Sequence, residues 1–213
     1  MFRDREEAAD RLAQALESFS GKSPLVLAIP RGAVGMGRRI ADALGGELDV
    51  VLVRKIGAPY QPELALGAID EDGEVHWASP EAARSVDPMW LEHEKRTQLE
   101  LLRARRDRYR AGRAPVDPEG RVTIVVDDGL ATGSTMIAAL HATRARSPSH
   151  LICAVPVAAP ESLERVGPHA DEVVCLAAPD DFRAVSQYFD RFGQVDDVDV
   201  ERLLAAGNSE SKS

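Results

Sequence analysis

Val122-Thr123-Ile124-Val125-Val126-Asp127-Asp128-Gly129-Leu130-Ala131-Thr132-Gly133-Ser134-Thr135-Met136 is the stretch on which the reading of this chain turns. Five apolar or β-branched residues predict a buried strand, because such runs pack on both faces of a parallel sheet. The strand delivers two adjacent acids to its end. A loop of small and hydroxyl residues follows and opens a helix, predicted over about Gly133 to Arg146. The first turn of a helix has backbone N–H groups without intrahelical partners and a partial positive charge, so it suits a phosphate. Gly133 lets the backbone approach an anion closely, and Thr132, Ser134 and Thr135 each add a hydroxyl donor. Two carboxylates beside such a nest would repel a bare phosphate. They make sense if the ligand also brings hydroxyls or a magnesium ion, and a ribose 5-phosphate has that layout.

Working outward, apolar runs alternate with helical patterns. Leu25 to Ile29, Leu48 to Val53, Leu151 to Val155 and Glu172 to Leu176 read as further strands. Leu12, Leu16 and Phe19 mark an opening helix, and Met36 to Leu44 a second one closed by Gly45-Gly46. This rhythm implies an α/β fold with a Rossmann-like, doubly wound, mostly parallel sheet. Ligands in such sheets lie at the carboxyl ends of the strands. Leu64 to Ala78 reads as a hairpin turning at Asp70-Glu71-Asp72-Gly73. Asp87 to Arg110 reads as one long charged helix. It has a narrow stripe of Leu91, Leu99, Leu102 and Tyr109, with Glu92–Arg96 and Arg103–Asp107 at i, i+4 spacing. Arg103, Arg105, Arg106, Arg108, Arg110 and Arg113 are read as a solvated face, with an RNA or phosphate surface as the alternative.

The 213 residues suffice for one domain with a substantial core. The expected division is a core over about 20–70 and 120–177, a helical insert over about 80–113, a small hood over about 159–200 and a disordered tail over 207–213. A net charge of −9 argues against a nucleic-acid partner, which needs a basic footprint. No apolar run reaches the length of a membrane span. Met1 to Asp10 has no apolar segment of the secretory type, so a cytoplasmic protein is expected. Cys153 and Cys175 sit in apolar runs and read as buried hydrophobes in a reducing compartment. The histidines lack the spacing of a structural zinc site.

The segment Val122 to Thr135 resembles the phosphoribosyl pyrophosphate signature of the type I phosphoribosyltransferases: a hydrophobic strand, two acids, and a loop ending Thr-Gly-x-Thr. The resemblance implies that Asp127 and Asp128 hold the ribose hydroxyls and that Ala131, Thr132, Gly133, Ser134 and Thr135 surround the 5′-phosphate. Pro30-Arg31-Gly32-Ala33-Val34-Gly35-Met36-Gly37 follows the first core strand and resembles that family's pyrophosphate loop, which implies a cis bond between Pro30 and Arg31. The glycines fall as Gly-x-x-Gly-x-Gly, so the dinucleotide fingerprint fails and a nicotinamide-dependent oxidoreductase is set aside. Arg54 and Lys55 resemble the basic pair found at the end of the second strand in orotate-type members, where it contacts pyrophosphate.

The resemblance therefore implies transfer of a phosphoribosyl group from 5-phosphoribosyl-1-pyrophosphate to a nitrogen acceptor, most simply a nucleobase, with release of pyrophosphate. Lys55, Arg31 and the Gly32 backbone would stabilise the leaving group. Magnesium is the implied cofactor, met by Asp127 and Asp128 indirectly through ribose hydroxyls or water. Residues 56 to 80 would form a mobile cover, and Phe182, Tyr188 and Phe189 would either stack on a base or pack in the core. A homodimer is compatible with this reading. Some purine-specific members carry an acid where this chain has Ala131, which weakens a 6-oxopurine assignment. It also supports a rival reading as a non-catalytic regulator that senses phosphoribosyl pyrophosphate.

Overall fold

A computed structural model of the chain describes residues 1–77 and 79–206. The elements run α1 (Arg5–Ala15), β1 (Leu25–Ala28), α2 (Val34–Leu44), β2 (Glu47–Val50), β3 (Val53–Ala58), β4 (Gln61–Asp70), β5 (Val75–Trp77), α3 (Pro80–Arg84), α4 (Pro88–Arg110), β6 (Val122–Val126), α5 (Ser134–Arg144), β7 (His150–Val157), α6 (Pro160–Val166), β8 (Glu172–Ala177) and α7 (Asp197–Ala206). The tail 207–213 and Ala78, the last residue of the expected hairpin, lie outside the described residues.

Five strands form one parallel sheet in the order β2-β1-β6-β7-β8. From β1 the chain moves to one edge through β2, and from β6 to the other through β7 and β8. The order therefore reverses between β1 and β6, a topological switch point. Apolar side chains cover both faces. On one, Leu12, Leu16, Met36, Ile40 and Leu44 of the α1–α2 side pack against Val26, Ile124 and Ile152. On the other, Met136 and Leu140 of α5 pack against Leu27, Val125 and Cys153. Because both faces are dry, β6 and β7 carry continuous apolar runs, Ile124 to Val126 and Leu151 to Val157, rather than alternation. Both cysteines are free thiols, and burial pushes Cys153 up to about 12, so it stays protonated and inert.

The expected strand Leu48 to Val53 is in fact divided. Its parallel pairing ends at Val50 opposite Ala28, where β1 itself ends. Val51 and Leu52 form a short irregular link, and Val53 begins a second, antiparallel sheet of order β3-β4-β5. Arg54 and Lys55 consequently stand on an antiparallel ribbon and not at the end of a parallel strand. The predicted hairpin is the outer half of this three-stranded meander, with its turn after Asp70 as expected.

Helix α4 starts where the sequence says it should. Asp87 accepts a hydrogen bond from the Trp90 N–H at 2.9 Å and Pro88 occupies the first turn. Its ion pairs differ from the expected ones: Glu92 pairs with Lys95 at 3.8 Å and Asp107 with Arg106 at 3.3 Å. The basic run is also not simply a solvated face. Arg108 reaches Asp197 at 2.9 Å and Glu201, both on α7. Arg110 is 3% exposed and bonded to Asp49 of β2, to Glu71 after β4 and to the Val50 carbonyl. Asp49 also accepts the Val116 N–H at 2.9 Å. One guanidinium thus joins both sheets to the end of α4, while burial pushes the Glu71 carboxyl above its usual range despite Arg110.

Removing one partner of a buried ion network strands the others without compensation. Arg110→Ala is therefore expected to lower unfolding free energy by about 3–5 kcal/mol, read from the urea midpoint at constant m-value. A loss below about 1 kcal/mol, the range of surface pairs, would show that this network does not hold the two sheets together.

Candidate active site

The switch point brings two loops together. Ala28 stands opposite Val126 in the register, and the Ile29 N–H donates to the Val126 carbonyl at 3.0 Å. The loop after β1 is Pro30-Arg31-Gly32-Ala33; the loop after β6 runs from Asp127 to Gly133. The Pro30–Arg31 peptide bond is cis.

Gly32 lies against Asp128. A Cβ on Gly32 would stand 2.2 Å from the Asp128 Oδ2, so no other residue fits without moving the carboxylate. Asp127 Oδ1 accepts the Asp128 N–H at 2.9 Å, which fixes the first acid of the pair. Burial, and after it the adjacent Asp128 charge, pushes the Asp127 carboxyl well above the usual carboxylate range. Asp128 in turn is gripped by Arg5 of α1, with Nε at 2.9 Å and the terminal nitrogen at 2.8 Å from Oδ2.

The segment Ala131–Thr135 forms a turn whose Gly133 has φ 73°, a left-handed conformation that costs a residue with a side chain about 1–2 kcal/mol. A Cβ there would also stand 3.0 Å from Val166. The turn is pinned from behind. The Leu130 N–H donates to the Val157 carbonyl at 2.9 Å, and the Ser162 hydroxyl donates to the Ala131 carbonyl at 2.7 Å. Helix α5 has no side-chain cap. Among the described residues the N–H groups of Thr132, Gly133 and Thr135 meet no protein acceptor, and that of Ser134 has only the Thr132 hydroxyl at 3.4 Å. Ala131, Thr132 and Thr135 are exposed. These are the free donors of a helix N-terminus facing outward.

A cleft of about 330 Å³ adjoins the turn, and its lining includes Pro30, Arg54, Lys55, Gln98, Arg105 and Thr135. The basic pair thus shares a cleft with both loops even though it arrives on β3. Arg54 donates to Gln98 at 2.8 Å. Arg31 does not line this cleft. Its guanidinium lies 3.8 Å from Asp197, which also receives the Tyr109 hydroxyl and Arg108. The Tyr109 bond, then the Arg108 and Arg31 charges, hold Asp197 below the usual range. Burial and Asp197 push the Tyr109 hydroxyl up to about 12, so it remains a donor. Of the aromatic residues expected in the hood, Phe189 is buried against Phe2 at 5.5 Å between centroids, and Phe182 stacks on Tyr188 at 5.6 Å.

The sequence reading missed Arg5, Gln98 and Asp197, and it placed Arg105 on a solvated face. A signal existed for two of them: Gln98, Leu102, Arg105 and Tyr109 recur on one side of α4 at helical spacing. None existed for Arg5 or Asp197, which meet their partners only through the fold.

Comparison with known proteins gives this geometry a context. The family model of the phosphoribosyl transferase domain matches residues 4–190. Two Mycobacterium tuberculosis proteins, Rv0571c and MT0597, each named as a candidate phosphoribosyl transferase, are 42% identical to this chain over 206 residues; the match covers 96% of this chain and 46% of theirs. The chain thus spans about half the length of the curated relatives it matches. The crystal structure of TT1426 from Thermus thermophilus is 48% identical and superposes with a TM-score of 0.91, covering 97% of this chain and 98% of that one. With its matched domain spanning most of its length, the chain belongs to the phosphoribosyl transferase domain family.

Proposed function

We propose that this chain transfers a phosphoribosyl group from 5-phosphoribosyl-1-pyrophosphate to a nitrogen acceptor, a nucleobase in the simplest case, and releases pyrophosphate. The observation that carries the reading is an acid pair, Asp127 and Asp128, followed in one loop by the unpaired amides of Thr132, Gly133 and Thr135, beside a cleft lined by Arg54, Lys55, Arg105 and Thr135.

In this reading the amides and hydroxyls of Thr132, Ser134 and Thr135 hold the 5′-phosphate. Asp127 and Asp128 orient the ribose hydroxyls while the anomeric carbon gains positive charge. Lys55, Arg54 and the Gly32 backbone meet the pyrophosphate, and Arg31 turns to it from Asp197. Fixed charges of this kind act where charge develops and need no reorganisation during the reaction. Residues 56 to 80, which take in the outer part of the β3–β4 ribbon and β5, are the candidate cover that excludes water.

Among the described residues no group of three or more His, Cys, Asp or Glu side chains could hold a metal by itself. Asp127 and Asp128, two adjacent carboxylates after β6, are the residues that fit magnesium carried by the substrate. Such an ion keeps several waters and binds through substrate phosphates and one or two carboxylates. Asp127 and Asp128 would meet it through ribose hydroxyls or water, and its charge would neutralise the pyrophosphate. A cytoplasmic location goes with this function; no helix among the described residues is long and apolar enough to cross a membrane. Ala131, which offers no acid to an acceptor, favours the second reading, a sensor that binds the same ligand without turnover.

Asp127→Asn combined with Asp128→Asn is expected to weaken calorimetric binding of magnesium phosphoribosyl pyrophosphate by at least about tenfold, or ~1.4 kcal/mol, in a variant that still folds cooperatively although it loses the Arg5 ion pair. Equal affinity in the folded double variant would remove the acids from the site. Crystals soaked in phosphate should show an anion bonded to the amides of Thr132 to Thr135; an anion bound elsewhere would reduce this turn to a helix start. A panel of nucleobases, scored for pyrophosphate release, separates the two functions. Release with any base supports the transferase, and tight binding without release across the panel supports the sensor.

A further inference from the structure

Among the described residues Arg5 is the one cation that touches the acid pair, and nothing in the transfer chemistry requires it. It comes from the first turn of α1, whose start is fixed by Asp4 accepting the Glu7 N–H at 3.0 Å. Each of its three guanidinium nitrogens has a partner. Nε and one terminal nitrogen lie 2.9 Å and 2.8 Å from Asp128 Oδ2, and the other terminal nitrogen donates to the Gly193 carbonyl at 2.7 Å. The plane sits 3.7 Å from the centroid of the Phe192 ring. The side chains of Arg5 and Asp128 are only 17% and 18% exposed. The ion pair lies over the Gly32 backbone, where an added Cβ would come within 2.2 Å of the carboxylate and 3.3 Å of the guanidinium.

We propose that Arg5 is a positioning residue for phosphoribosyl binding: it clamps Asp128 by Oδ2 across Gly32 and leaves Oδ1, which no protein donor takes among the described residues, to the ribose. This inference rests on the function proposed above and adds α1 and the 192–193 segment to the site. The physical case has three parts. A carboxylate must be held to within about half an ångström and 10–20° to orient a ligand hydroxyl. The planar guanidinium, seated on Phe192 and bonded to the Gly193 carbonyl, brings Nε and a terminal nitrogen to one carboxylate oxygen, a fixed approach that a flexible ammonium cannot copy. Among the described residues Oδ1 receives no protein donor, so the clamp satisfies one oxygen and spares the other. Arg5 also offsets the repulsion between the neighbouring acids, because it places a positive charge against the outer one.

The test is a cycle of Arg5→Ala and Asp128→Asn with the acid pair otherwise intact, read as the dissociation constant of magnesium phosphoribosyl pyrophosphate by calorimetry. Arg5→Ala should weaken binding about tenfold in the wild-type background and less than about twofold beside Asp128→Asn, since the clamp acts only through that carboxylate. Arg5→Lys should recover part of the loss through a single bond to Oδ2. Should Arg5→Ala not fold, Arg5→Gln keeps a stem and a donor for Gly193 and should show the same coupled loss. A merely structural arginine would give losses that multiply independently in the double variant, and that result overturns the proposal. So does unchanged affinity in the Arg5 variants when Asp128→Asn alone weakens binding, and so does tighter binding, which would make Arg5 a competitor of the ribose. If the wild-type chain binds no phosphoribosyl pyrophosphate, the functional reading itself fails and this inference falls with it.

Discussion

Everything at the site depends on β1 and β6 lying side by side and ending together. Ala28 faces Val126 in the register, so the loops that follow leave the sheet from adjacent points. One loop brings the cis Pro30–Arg31 bond and Gly32; the other brings Asp127, Asp128 and the Gly133 turn. Parallel strands need long crossovers to lie beside one another. The cost of that connectivity is offset by two dry faces of aliphatic side chains. A slip of one register step would separate Gly32 from Asp128, whose contact leaves no room for even a methyl group.

The long helix and the second sheet would be an appendage were it not for Arg110. Its guanidinium reaches Asp49 and the Val50 carbonyl in the parallel sheet and Glu71 in the meander, all in a buried setting. A buried ion network is weak evidence for stability in itself, because desolvation consumes much of the Coulomb attraction. Its value here is geometric: a fork with fixed angles sets how α4 and β3 meet the core. That angle decides whether Lys55 on β3 and Arg105 on α4 line one cleft with Thr135.

The sequence made the fold class and the central motif legible because both are local. Val122 to Val126 is a dry parallel strand by composition alone, and the acids, the small loop and the helix follow without interruption. Leu25 to Gly37 reads in the same way. What stayed hidden depends on distant partners. The break at Val51 and Leu52 carries no Gly, Pro, Asn or Asp, and occurs where the parallel pairing with β1 ends. Arg110 looks like its five neighbouring arginines until Asp49 and Glu71 are placed beside it. Arg5 meets Asp128 across 123 residues of chain, and Phe189, which could have stacked on a base, is taken by Phe2.

Two ion pairs stand beside the site. Asp128 is answered by Arg5, and Arg31 by Asp197, which also receives Arg108 and Tyr109. A charged group in a partly dry crevice is costly without a partner, so a chain that must carry these charges through its ligand-free life pairs them with one another. The two pairs differ in what they allow. Arg31–Asp197, at 3.8 Å and half-exposed, is a loose contact that a phosphate oxygen could replace at small cost. Arg5–Asp128, with two nitrogens within 3 Å of one carboxylate oxygen, the Gly193 carbonyl on the guanidinium and Phe192 against it, is a tight contact. The loose pair is suited to exchange with an incoming anion, and the tight pair to stay in place while the ligand is bound.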